Sequence, residues 1–286
     1  MRAFFAAMLA ALAAVPANAG AAHAGAAKAN MASVATPKTP RAWPQPAAGP
    51  TMTGDPELIF TFDDGPDPKR TPFVLDTLAA HHIHAIFFLV GVNVDKPGSR
   101  ELIDRMLREG HIVANHTMSH QDLCRLKEDE RAAYEIDKGR EVIESATHMQ
   151  LAWFRVPYGA RCERVDNMLA ARGLTHFHWD LDPREWKGSN LKHTMAYLEK
   201  SLGKMTGRNV LLMHDIKKVT VEALPQILDW LDAENAKRRE VRLRRIRIIQ
   251  SWELAEERLP AGTIQWLGEA APDPQGLAKA IASVLP

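Results

Sequence analysis

The chain has 286 residues, with 36 Lys+Arg against 35 Asp+Glu, a formal charge of +1, and 46% hydrophobic and 25% charged residues. This balance gives no global electrostatic hold on nucleic acid, and the composition is neither disordered nor collagen-like. The two cysteines, Cys124 and Cys162, are too few for a disulfide scaffold or a four-thiolate zinc site.

In chain order, Met1-Arg2 leads into an apolar stretch from Ala3 to Val15, then Pro16 and the small triplet Ala17-Asn18-Ala19. This is the pattern of a cleaved secretory signal over 1–19, and it predicts a secreted or periplasmic protein. The apolar run is shorter than the ~20 residues that span a bilayer, so no stable membrane span is expected in the mature form. Residues 20–50 are rich in Ala and Pro, with Pro37, Pro40, Pro44, Pro46 and Pro50 and no hydrophobic period, and read as a tether. Residues 51–250 read as one folded domain. The remainder, 251–286, carries Trp252, Trp266 and an amphipathic stretch over 275–285, and reads as an extension packed on the outside of that domain.

Within the domain, short apolar runs predict strands over 58–62, 85–90, 111–114, 152–156, 175–180, 209–213 and 242–249. Helical periodicity predicts helices over 71–81, 99–109, 128–145, 163–172, 191–202 and 221–233. Strictly alternating strands and helices argue for a parallel sheet with right-handed crossovers, either an open doubly wound sheet or a barrel. In both, chemistry gathers at the carboxyl ends of the strands. There the chain places Asp63-Asp64, His116 and His120, Arg155, the run from Asp180 to Trp186, and His214-Asp215.

His116 and His120 are spaced i, i+4, which on a helical turn sets both imidazoles on one face, close enough to share a metal ion. An acid from the first strand end, Asp63 or Asp64, would complete a site of two imidazoles and one carboxylate. The other Asp is then free to act as a general base, with Arg155 favouring its ionised form. His214, across the site, could protonate a leaving nitrogen.

The motifs Thr61-Phe62-Asp63-Asp64-Gly65-Pro66, His116-Thr117-Met118-Ser119-His120, Arg155-Val156-Pro157-Tyr158, Asp182-Pro183-Arg184-Glu185-Trp186 and Leu211-Leu212-Met213-His214-Asp215 resemble, in order, the five motifs of the polysaccharide deacetylases. These are the NodB-homology enzymes of carbohydrate esterase family 4. The resemblance runs from about Leu58 to Ile249, and Ala85 to Gly91 is similar to that family's second strand. It implies an irregular (β/α)7 barrel, with 51–250 as the catalytic domain, that removes N-acetyl groups from a glycan using one divalent metal. That metal is commonly Zn²⁺, while Co²⁺, Ni²⁺ or Fe²⁺ also suit the donor set.

By this resemblance Asp63 is the general base, Asp64, His116 and His120 are the metal ligands, and Arg155 orients Asp63. The Tyr158 N–H stabilises the oxyanion, His214 is the general acid, and Leu212 and Trp186 wall the acetyl methyl. The sequence departs from the family at Val156, where a proline is usual, and at Glu185, where Asp is common before the Trp. The extra methylene leaves open whether the hydrogen bond that tunes His214 falls to Glu185, Asp182 or Asp180.

The expected substrate is peptidoglycan, a chitin-like polymer or poly-N-acetylglucosamine. The alternatives are a small amide or ureide hydrolysed on the same scaffold, or a glycan-binding homologue without catalysis.

Other clusters read as structural. His81, His82 and His84 fall at a helix end, and His176 and His178 alternate along a strand. The basic run from Lys237 to Arg247, interleaved with Val241, Leu243 and Ile246, reads as a solvated approach to the last strand rather than a grip on anionic polymer or membrane. Cys124 and Cys162, on neighbouring strand-end loops, could bridge in an oxidising compartment.

Overall fold

In the computed structural model, residues 56–188 and 190–258 are described. The predicted signal, the tether, Trp266 and the stretch over 275–285 lie outside them. The elements run β1 (Glu57–Asp63), α1 (Thr71–Ala80), β2 (Ile86–Leu89), α2 (Gly91–Val94), α3 (Ser99–Arg108), β3 (Ile112–Asn115), α4 (Asp129–Thr147), β4 (Trp153–Phe154) and α5 (Glu163–Ala171). They continue with β5 (Thr175–His176), α6 (Leu191–Lys204), β6 (Arg208–His214), α7 (Lys218–Glu240), β7 (Arg247–Ile248) and α8 (Ser251–Arg258). Short 3-10 turns at Pro157–Gly159 and Glu185–Lys187 interrupt the loops after β4 and β5.

All described strand pairs are parallel, in the order β5-β4-β3-β2-β1-β6. One edge of β1 pairs with β6 along its whole length, from Glu57↔Arg208 to Asp63↔His214. Its other edge is shared: β2 takes the carboxyl end from Thr61 to Asp63, and β7 takes Glu57 and Leu58. Between β5 and β6 the ring closes through irregular chain, where the N–H groups of Asp180 and Leu181 both donate to Val210 O and Leu212 N–H donates to Leu181 O. The irregular barrel follows from these short strands.

Side-chain alternation divides β1 between two cores. Leu58, Phe60 and Phe62 enter the large cluster under the helices, with Leu75, Phe87, Met213 and Leu228. Ile59 joins Ile86, Phe88, Ala114, Trp153, Phe177 and Val210 in a second cluster, which Leu254 and Ala255 of α8 cover. Thr61 and Asp63 lie on the same face of β1 as Ile59, one and two steps nearer the carboxyl end. The apolar face that holds the barrel therefore turns polar where the strand ends.

Most expected elements are present, and the differences are at their ends. The predicted strands over 152–156 and 175–180 contract to two residues each. The strand expected over 242–249 contracts to Arg247–Ile248, because the chain before it bonds to the end of α7: Leu243 N–H donates to Arg238 O and Ile246 N–H to Asn235 Oδ1. Arg238 in that basic run is buried, and it donates to Glu234 Oε1 and to the carbonyls of Gly203 and Arg244. The run is thus a helix end and a pinned turn that leads, exposed over 241–245, into β7. Of the extension, Ser251–Arg258 docks against the barrel, with Ser251 N–H donating to His84 O.

Cys124 and Cys162 are joined, with Cα atoms 6.0 Å apart, and they tie the loop after β3 to the start of α5. The bridge spans 38 residues, a loop whose closure is worth up to about 4 kcal/mol in the chain-entropy account. Replacing both cysteines by Ser should lower unfolding free energy by about 2–4 kcal/mol in denaturant titrations under oxidising conditions. An unchanged midpoint would show that the bridge does not form.

Candidate active site

The register of β1 with β6 sets Asp63 beside His214 at the carboxyl end of the barrel. Just past the strand ends, the backbone enters the left-handed region at Asp64 (φ 73), Thr117 (φ 71), His120 (φ 61) and Tyr158 (φ 61). For residues with a side chain this costs about 1–2 kcal/mol each, and such outliers concentrate where function demands a particular geometry.

The segment from His116 to His120 is a pinned loop, not the helical turn expected from its spacing. Thr117 N–H donates to Asn115 Oδ1, His120 N–H to Thr117 Oγ1, and both Ser119 N–H and Oγ to the Glu135 carboxylate. The loop lies directly on α4 at Gly139, where an added Cβ would stand 2.6 Å from the Thr117 carbonyl carbon. The two imidazoles converge because the loop doubles back, so the spacing pointed to the right pair for a different structural reason.

Asp64 Oδ1 lies 3.2 Å from His120 Nε2 and 3.6 Å from His116 Nε2. The three potential ligand atoms fall within 4.8 Å of one another, and no other cluster of this kind occurs among the described residues. His116 Nδ1 is 2.7 Å from Arg155 O, so that nitrogen carries the proton and Nε2 turns its lone pair inward. Burial, opposed by the charge of Asp64, holds His116 down to about 3, so the ring is neutral. Asp64 Oδ1 is buried and accepts no hydrogen bond among the described residues. The His116 and His120 imidazoles facing an unpartnered carboxylate oxygen fit a divalent cation.

Arg155 is fully buried. Its Nη1 donates to Asp63 Oδ1 at 2.7 Å and to Thr61 Oγ1 at 2.8 Å, its Nε donates to Phe177 O at 2.9 Å, and its Cζ sits 4.0 Å from the centre of the Phe88 ring. Burial pulls the guanidinium below its ordinary pKa, and the Asp63 carboxylate opposes that. The second oxygen of Asp63, Oδ2, faces His116 Nε2 at 3.6 Å. One oxygen of Asp63 is thus fixed while the other looks into the space bounded by the cation ligands.

On the other side, Glu185 Oε1 accepts from His214 N–H and pairs with His214 Nδ1, both at 2.8 Å, and accepts from Thr220 Oγ1 at 3.3 Å. Burial pulls His214 down, but the hydrogen bond and charge of Glu185, joined by Asp63 and Asp64, raise it overall. Glu185 therefore keeps the contact despite its extra methylene, and neither Asp182 nor Asp180 takes it. Asp182 Oδ1 accepts from Arg184 N–H and Trp186 Nε1 and so holds the loop that presents Trp186, while Asp180 Oδ2 accepts from Val210 N–H.

Leu212 is buried on the same face of β6 as His214, and the half-exposed Trp186 ring lies 6.4 Å from that of His214. Tyr158, expected to act through its backbone N–H, also brings its side chain: its hydroxyl is 3.2 Å from His120 Nδ1, and the two rings are 4.6 Å apart. That contact, and the Asn93 Nδ2 bond to Asp64 O, had no signal in the sequence. His84 pairs with Gln250, and His176 is buried in the barrel wall, as their structural readings expected.

A parallel barrel with ionisable groups gathered at its strand ends has the architecture of an enzyme whose chemistry sits at that end. A family model described as polysaccharide deacetylase matches residues 51–177. The chain is 38% identical to a chitooligosaccharide deacetylase of Sinorhizobium fredii over 57% of this chain and 74% of that one. It is 31% identical to a peptidoglycan-N-acetylglucosamine deacetylase of Bacillus cereus, over 63% and 65% of the two chains. Among solved structures, a peptidoglycan deacetylase from Bacillus subtilis superposes with a TM-score of 0.59 at 26% identity, covering 80% of this chain and 96% of that one. A family 4 carbohydrate esterase from Streptomyces lividans gives 0.56 at 26% identity, covering 63% and 89%. The chain belongs to the polysaccharide deacetylase family.

His214, with its pKa raised in the fold, contributes stability that is fully present below its unfolded value and is lost as pH rises through its folded value. Glu185→Gln should lower the His214 pKa measured by NMR titration. An unchanged value would remove Glu185 from this role.

Proposed function

We propose that the protein is a metal-dependent hydrolase that removes N-acetyl groups from N-acetylhexosamine residues of a polysaccharide outside the cytoplasm. The observation that carries this reading is the division of labour at Asp63: Arg155 holds one oxygen, and the other faces the Asp64-His116-His120 cluster. A divalent cation held by those three residues would polarise the acetamide carbonyl and make a water molecule a better nucleophile at neutral pH.

The chain's own groups handle the protons and the fit. Asp63 Oδ2 accepts the proton of the attacking water, and Arg155 keeps the carboxylate aimed. His214, with Nδ1 engaged by Glu185, has its other ring nitrogen to donate a proton to the departing amine. The Tyr158 N–H is assigned to the oxyanion, and Leu212 and Trp186 to the acetyl methyl. Trp186 and Tyr158 are exposed at the rim, which favours a long glycan over a small amide or ureide. The relatives named for chitooligosaccharides and peptidoglycan support that substrate class. Export is supported by the pattern over 1–19 and by the Cys124–Cys162 bridge, which suits an oxidising compartment.

The test is acetate release from chitin oligomers, peptidoglycan and poly-N-acetylglucosamine, with a small acetamide and a ureide as controls. Asp63→Asn should retain bound metal yet lose ~10²–10⁴ in turnover. Deacetylation at the parent rate would overturn the assignment of the base, and activity confined to the small amides would overturn the substrate.

A further inference from the structure

Asp215 directly follows His214 and is fully buried, yet the chemistry above makes no use of it. Its Oδ2 accepts from the Thr71 hydroxyl, and that hydroxyl in turn accepts from Asp67 N–H at 2.8 Å. A Cβ on Gly65 would stand 2.6 Å from Asp215 Oδ1 and 2.8 Å from its Cγ, so the backbone between Asp64 and Asp67 rests on this carboxyl. Gly65 has no left-handed φ to account for its lack of a side chain. The space that Asp215 occupies accounts for it. Further supports come from the β2 side, where Asn93 Nδ2 donates to Asp64 O and Val90 N–H to Gly65 O, and from the start of α1, where the N–H groups of Arg70 and Thr71 donate to Asp67 O. Asp215 meets the loop from the β6 side, next to His214.

We propose that Asp215 is a positioning residue: with Thr71 it wedges the 64–67 loop against the end of β6, fixing Asp64 in its left-handed turn relative to His214. This rests on the reading of Asp64 as a cation ligand and His214 as the acid. The β1–β6 ladder registers Asp63 with His214 but ends there, and Asp64 lies one residue beyond it. The Asp215 wedge continues the registration past the last ladder bond.

The chemistry of the group points the same way. Asp215 Oδ1 has no hydrogen-bond partner among the described residues. A buried carboxyl half-satisfied in this way destabilises a fold, and an apolar side chain could fill the space at lower cost. What an apolar residue cannot do is hold the Thr71 hydroxyl and, through it, Asp67 N–H.

The experiment compares Gly65→Ala, Asp215→Ala, the double variant and Asp215→Asn. Zn²⁺ affinity is measured by chelator competition, unfolding midpoint in denaturant, and turnover on an N-acetylglucosamine oligomer. Asp215→Ala should weaken Zn²⁺ binding by about 10–100-fold, the range seen when supports of metal ligands are removed, and lower kcat more than it raises KM, with no fall in the unfolding midpoint. Asp215→Asn, which keeps the acceptor and the volume, should recover most of the affinity. Gly65→Ala should be severe alone and add little in the Asp215→Ala background, because the added methyl then has room.

Zn²⁺ affinity unchanged in Asp215→Ala, or losses from Gly65→Ala and Asp215→Ala that simply multiply, would overturn the proposal. A fall in midpoint with unchanged kcat would do the same, since that is the signature of a structural role. A parent protein that binds no divalent cation would overturn the reading of the site itself, which separates the two failures.

Discussion

The pair between Arg155 and Asp63 is the contact on which the rest of the site depends. A guanidinium fully removed from water is costly, and it is tolerated only when its donors are met and its charge is matched. Here Thr61 and Asp63 of β1, the Phe177 carbonyl just past β5 and the Phe88 ring of β2 all converge on a side chain from the end of β4. One residue therefore spans the barrel interior and fixes how the strand ends face one another. Its backbone carbonyl meets His116 Nδ1 as well, so the same residue that orients the proposed base also sets the tautomer of a proposed ligand.

Around that pair, one buried environment is tuned in opposite directions. His116, enclosed and hydrogen-bonded to a carbonyl, is kept neutral, while His214, set against Glu185, is drawn toward its protonated form. Two histidines of the same intrinsic pKa thus diverge because burial prevails at His116, where Nδ1 meets only a carbonyl, and is outweighed at His214 by the Glu185 carboxylate. Burial and Asp64 also push the Asp215 carboxyl up, to about 7, against the Thr71 hydrogen bond. Separating the pKa values of neighbouring groups is how a single cleft comes to hold both a base and an acid.

The sequence carried the topology well because a parallel barrel writes its strands as short, continuously apolar runs and its helices as periodic ones. β1, β2 and β6 stand where those runs are, and the ionisable residues at their ends are the ones that converge. It failed where irregular backbone decides geometry. The His116–His120 spacing suggested a helical turn, whereas hydrogen bonds to Asn115 and Glu135 build a left-handed loop, a long-range arrangement with no local signature. The basic run after residue 236 does lead into β7, but its first residues finish α7, where Arg238 is held by carbonyls and Glu234. The Glu185 contact was open in the sequence, since one methylene shifts reach by more than the spacing between Asp180, Asp182 and Glu185 can resolve.

The most direct measurement is a titration of the metal-stripped protein with Zn²⁺ while acetate release from an N-acetylglucosamine oligomer is followed. Activity should rise linearly from near zero, break at one equivalent per chain, and fail to rise at all in His116→Ala. Full acetate release from the stripped protein, or a break at two equivalents, would contradict a single cation held by Asp64, His116 and His120 beside an arginine-held Asp63.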